Sequence, residues 1–117
     1  MSVRIKKYIE LLKLYKKASP AQRKLLLEVA SNDFITAICE CCHNANLGNV
    51  PFKTREKKKL KKFAPVMRKL ASKGQKYRRI GQKRKLLIQE GGFLPALLTP
   101  IVSLVGGLVG ELVAKQL

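Results

Sequence analysis

Tryptophan is absent from this chain, histidine occurs once, and the three cysteines sit together at positions 39, 41 and 42. Each shortage excludes something. Seven aromatics, none arranged to offer successive rings to unstacked bases, argue against single-strand recognition by stacking. An odd, crowded cysteine set is no disulfide framework and suits a reducing compartment, so the chain reads as intracellular rather than secreted. The N-terminus, MSVRIKKYIELLKLYKK, is charged throughout and lacks the apolar block of a signal peptide.

The donor-rich stretch Cys39-Glu40-Cys41-Cys42-His43 invites a zinc reading, because on a helix Cys39, Cys42 and His43 share one side. A structural zinc needs four ligands, usually in two separated pairs, and the chain has no other Cys or His. The thiols are expected to pack as small hydrophobes. As a nucleophile with its base, a neighbouring Cys and His point in different directions and lack a third, orienting group. Gly106-Gly107-Leu108-Val109-Gly110 lacks the Lys-Ser/Thr of a phosphate-binding loop. The expectation is a protein that is not an enzyme, with no catalytic residues, no metal and no cofactor.

Acid is the other shortage. Seven Asp and Glu stand against 25 Lys and Arg, for a net charge of +18. Residues 53–85 hold sixteen of the cations and one acid, Glu56, whereas residues 91–110 carry no charge at all. A compact domain with this excess repels itself at low salt, so the charge calls for a polyanionic partner, either nucleic acid or an anionic membrane surface. At 117 residues the core is small, and a large catalytic cleft is not expected.

Apolar periodicity reads as helix throughout, with no strand-like alternation and no internal repeat. Residues 3–17 place Ile5, Tyr8, Ile9, Leu11, Leu12 and Tyr15 on one side, with Leu14 on the wrong face. Ser19-Pro20-Ala21-Gln22 carries a cap, a first-turn proline and a capping box for a helix over 20–30. Asn32 or Asp33 can cap a third helix, DFITAICECCHNA, in which Ile35, Ile38, Cys39 and Cys42 fall at helical spacing. Gly48 and Pro51 end it. From Lys53 to Ser72, Leu60, Phe63, Ala64, Met67, Leu70 and Ala71 lie within about 120° of the wheel and the cations fill the rest. Pro65 falls on the cationic side, which predicts a bend rather than a break. The stretch 74–92 has a poorer wheel, with Arg84 among Tyr77, Ile80, Leu87 and Ile88, and is expected to order once its charges are neutralised.

Gly91 to Gly110 is long enough as a helix to cross a bilayer core of about 30 Å, and Lys83-Arg84-Lys85 supplies a positive flank. Pro95, Pro100 and five glycines disfavour a regular helix there. Spanning, interfacial insertion, and burial against the other helices or a second copy all remain open for Phe93, Leu94, Leu97, Leu98, Ile101, Val102, Leu104 and Val105.

A basic stretch, Lys83-Arg84-Lys85, followed by Gly91, Gly92, Phe93, Leu94, Pro95, then Leu98, Pro100, Ile101 and a Gly/Val/Leu-rich tail, resembles the precursor of the adenoviral core protein X, or mu. Cys42-His43-Asn44 and Leu47-Gly48-Asn49-Val50 resemble short proteins of Polinton or adintovirus-type elements. The junction covers roughly a fifth of the chain, and the middle extends the likeness to about half. The resemblance implies that the basic part condenses the packaged genome and that a viral cysteine protease cleaves after Gly91-Gly92, before Phe93. Where that protease's pattern has an aliphatic residue or Met four positions before the cut, this chain has Gln89.

The combined expectation is an all-α fold: a small helical bundle with a basic helical extension and a hydrophobic C-terminal segment. Its regions are 1–52, 53–90 and 91–117. The expected function is sequence-independent binding and condensation of double-stranded DNA in a virion core or host nucleus, with phosphates contacted by Lys57, Lys58, Lys59, Lys61, Lys62, Arg68, Lys69, Lys76, Arg78, Arg79, Lys83, Arg84 and Lys85. The alternative is a cationic protein that is membrane-active or membrane-anchored through residues 93–109. A ribosome-type RNA-binding protein shares the charge but leaves the tail unexplained.

Overall fold

Serine hydroxyls set the starts of two of the N-terminal helices. The computed structural model describes residues 3–71 and 79–116, with side chains as far as Val105, and these residues are helical without a strand. The all-α class is therefore as expected. The first helix comes as two, α1 (Val3–Lys7) and α2 (Ile9–Lys17), parted at Tyr8, where φ −102° and ψ 17° leave the helical region. Ile5, Leu12 and Tyr15 are buried, whereas Leu11, placed on the same side by periodicity, is 43% exposed.

α3 (Pro20–Val29) opens with the expected capping box. Ser19 Oγ accepts from the Gln22 amide at 3.2 Å and Gln22 Oε1 accepts from the Ser19 amide at 3.1 Å. Such a cap contributes about 1 kcal/mol. α4 (Asn32–Asn46) is capped by Ser31 rather than Asn32 or Asp33, its hydroxyl accepting from the Phe34 amide at 3.1 Å. Asp33 is thereby left for another task, taking the Tyr8 hydroxyl and Arg4 Nε, each at 2.8 Å. After α4 the chain turns through Gly48 at φ +77°, the left-handed geometry that favours glycine.

The basic segment forms α5 (Thr54–Lys61) and α6 (Ala64–Ala71). Pro65 divides them instead of bending one helix. It occupies the second position of α6, where a missing N–H removes no intrahelical bond. Lys62 stays right-handed (φ −65°, ψ −26°), and the ladder resumes with the Met67 amide on the Phe63 carbonyl at 2.9 Å.

α7 (Ile80–Glu90) runs through a 3-10 turn at Gly91–Phe93 into α8 (Leu94–Gln116). α8 is regular in spite of its prolines: Pro95 falls in the first turn and Pro100 lies inside, with the Thr99 hydroxyl donating to the Pro95 carbonyl at 2.6 Å. The core centres on α4, whose Phe34, Ile35, Ala37, Ile38 and three cysteines are all buried. α1, α6, α7 and α8 pack on it, and α8 also packs on α2 and α5.

As far as Val105, the apolar tail thus belongs to the core. Phe93, Leu94, Leu97, Leu98, Ile101 and Val105 are each 0% exposed and share one cluster with Leu12, Ile38, Leu60, Met67 and Leu87. At about 1.5–3 kcal/mol per buried apolar side chain, this burial contributes on the order of 10 kcal/mol, comparable with the whole net stability of a small domain. The boundaries expected at 52/53 and 90/91 fall within one packed body.

Candidate nucleic-acid interface

α5 begins with its own acid. Glu56, the one carboxylate of residues 53–85, accepts from the Lys53 amide at 2.8 Å and so caps the helix N-terminus. Lys57, Lys58, Lys59, Lys61 and Lys62 are exposed beyond it, as are Arg68 and Lys69 on α6. Leu60, Met67 and Leu70 face inward at 7%, 4% and 0% exposure. Phe63 is half-buried, its ring 5.6 Å from that of Phe93. The two sides expected of this segment are present, although the helix is broken between them. Lys53 and Arg55 are also exposed on the same element, and the charge run that contains them was the signal that could have added them to the expected set.

α7 is less uniform. Arg79 and Lys85 are exposed, Lys83 is half-buried, and Lys76 and Arg78 lie outside the described residues, as does Tyr77. Arg84 is turned to a structural use. Its Nη1 donates to the Leu27 carbonyl at 2.6 Å and its Nη2 to Asn32 Oδ1 at 2.8 Å. Leu27 is in the last turn of α3, where carbonyls lack intrahelical partners and cations are favoured. A guanidinium fixed there is not presented to phosphate, so Arg84 leaves the candidate set. That resolves its anomalous place among apolar wheel positions.

No family model, curated protein or solved structure matches the chain.

The candidate cleavage segment is folded. Gly91 is buried with φ −74° and ψ 9°, its carbonyl accepting from Arg23 Nη1 at 2.9 Å, and Phe93 is buried beside it. A protease that takes an extended Gly-Gly finds a 3-10 turn instead. Neither glycine is required sterically: a Cβ on Gly91 would lie 3.6 Å from Leu94 Cδ1, and one on Gly92 would lie 3.5 Å from Phe63 Cζ, both ordinary contacts. Arg23, only 7% exposed, had no local sequence signal, since its acceptor is 68 residues away.

The candidate lipid-facing residues are likewise turned inward. Val102 is buried with the six fully covered tail side chains, and Leu104 is half-buried. By length and composition Ile80–Val105 is apolar enough to cross a membrane, but the interior of the fold already covers half of it.

Cys39, Cys41 and Cys42 are buried free thiols while His43 is exposed, so these donors do not converge. Among the described residues no group of three His, Cys, Asp or Glu could hold a metal ion. Burial pushes the Cys39 thiol up to about 11 and that of Cys41 to about 12, and raises that of Cys42 well above the ordinary range.

Proposed function

We propose that the chain is a non-catalytic protein that binds and condenses double-stranded DNA through its phosphates without reading sequence. Its setting would be a virion core of the adenovirus or Polinton and adintovirus kind, in the capsid or the host nucleus. The observation that carries this reading is the two-sided build of α5 and α6, whose apolar residues are buried while their lysines and Arg68 stand in solvent. α5 holds Arg55, Lys57, Lys58, Lys59 and Lys61 within eight residues. That is five cations along about 12 Å, facing a duplex with one phosphate charge per about 1.7 Å of axis.

Membrane insertion of residues 93–105 would uncover the rest of the apolar core, so their burial favours the DNA reading. Fluorescence anisotropy with a random-sequence duplex is the test. Affinity is expected to fall steeply from low to physiological salt, with a log-log slope of about −0.9 per phosphate neutralised, and to be equal for unrelated sequences. Flat salt dependence, or strong preference for one sequence, overturns the reading.

A further inference from the structure

We propose that the cleft between α3 and the 3-10 turn after α7 is a binding site for a phosphate dianion, free or as the terminal group of a phosphate monoester. Its centre is Arg23, 7% exposed. The cavity that Arg23 lines holds about 200 Å³, with Pro20 and Lys24 of α3 on one side and Gln89, Gly91 and Gly92 on the other.

The structural contact of Arg23 does not use up its donors. A guanidinium carries five N–H groups, and Nη1 alone is engaged, on the Gly91 carbonyl at 2.9 Å. Nε and Nη2 have no acceptor among the described residues, and neither is sealed from solvent. Since the side chain is otherwise covered, the access they keep is through the cavity. Its charge is unbalanced too. No ion pair among the described residues engages Arg23 or Lys24. Burial pulls the Arg23 guanidinium below its ordinary pKa, with no carboxylate to oppose it. A buried charge is ordinarily paired, and the described residues offer no carboxylate for the purpose.

Charge and size choose the occupant. Arg23 and Lys24 bring two positive charges to one cavity, which a phosphate dianion balances and a single carboxylate does not. The guanidinium fork matches phosphate oxygens in geometry. Pro20 brings the first turn of α3 to the same cavity, and with it the positive end of a helix dipole. The Gln89 amide adds a neutral donor at the opposite wall. A phosphodiester of duplex DNA carries one charge between two sugars, and that bulk keeps it from a side chain so deeply covered. The site shares no residue with α5 or α6, so this inference and the DNA reading can fail separately.

The experiment titrates the full, isotope-labelled chain with inorganic phosphate, methyl phosphate and acetate, followed by NMR at the Arg23 Nε–H and the Gly92 amide. Saturation at a single phosphate per chain is expected, with a Kd below about 1 mM, and acetate should bind roughly tenfold more weakly. Tighter binding of inorganic phosphate identifies a site for the free ion, whereas equal or tighter binding of methyl phosphate identifies a site for a monoester. Lys24→Gln and Gln89→Glu, both at exposed positions and verified by thermal melts, should each weaken phosphate binding about tenfold, the second by placing a carboxylate at the wall. Lys6→Gln, outside the cavity, should leave it unchanged. Shifts that do not saturate at Arg23 and Gly92, indifference to both Lys24→Gln and Gln89→Glu, or acetate binding as tight as that of phosphate overturns the proposal.

Discussion

Arg23 and Arg84 direct their charge into the molecule, and the difference between them marks how far sequence reasoning reaches. Replacing Arg23 by Met removes a charge-assisted hydrogen bond and leaves the buried Gly91 carbonyl with the Leu94 amide as its remaining donor. The expected loss is about 1.5–3 kcal/mol in chemical denaturation, whereas Lys24→Met on the exposed side of α3 should stay within about 0.5 kcal/mol. Arg84 was legible as an anomaly because its own wheel position was wrong for a surface cation. Arg23 was not, because its partner is set by tertiary packing. Asp33 gives a pH prediction. The Tyr8 hydroxyl first, and then the Arg4 guanidinium, hold its carboxyl below its ordinary value of 3.8. Stability from this carboxylate is complete above that value and is lost as pH falls through the depressed folded pKa. Thermal melts of Asp33→Asn should therefore lack part of the wild-type decline below about pH 4. The buried cysteines should also resist iodoacetamide at pH 8 in the native protein and react when it is unfolded. With a pKa of about 11 for Cys39, only about one molecule in a thousand carries the thiolate there.

At the scale of the element, α5 and α6 allow stability and binding to be separated. Met67→Ala opens space in the core and should cost about 2–5 kcal/mol while leaving the salt dependence of DNA binding unchanged. The triple change of Lys57, Lys58 and Lys61 to Gln should do the reverse, reducing the magnitude of the log-log slope by about 2.7 with little effect on the melt. Local rules served well here. The α3 capping box and the left-handed Gly48 depend on residues a few positions apart, and both appeared where the sequence put them. Pro65 shows the limit. Its missing amide is evident in the sequence, but whether the helix bends or restarts depends on how α6 packs on α4 and α7 and how α5 packs on α8.

For the whole molecule, the decisive question was what covers the apolar tail. Composition alone could not answer it, because a helix buried in a bilayer and one buried in protein are both rich in Leu, Val and Gly. The packing of α8 on α2, α4 and α5 answers it in this fold. A fragment ending at Gly92 lacks Phe93, Leu94, Leu97, Leu98, Ile101 and Val105, and with them burial on the order of 10 kcal/mol. Circular dichroism should find that it has lost its cooperative melt, together with much of its helix. A fragment that melts like the full chain would show instead that the tail is dispensable.

The 3-10 turn at Gly91–Phe93 turns folding into a clock. An enzyme that requires this segment extended can act on the nascent chain or on a transient opening, so docking of α8 and cutting compete for the same molecules. In the folded population, the half-life toward such an enzyme follows the equilibrium fraction of open chains. Arg23→Met, which touches neither Gly92 nor Phe93 chemically, should shorten that half-life by roughly ten- to a hundredfold.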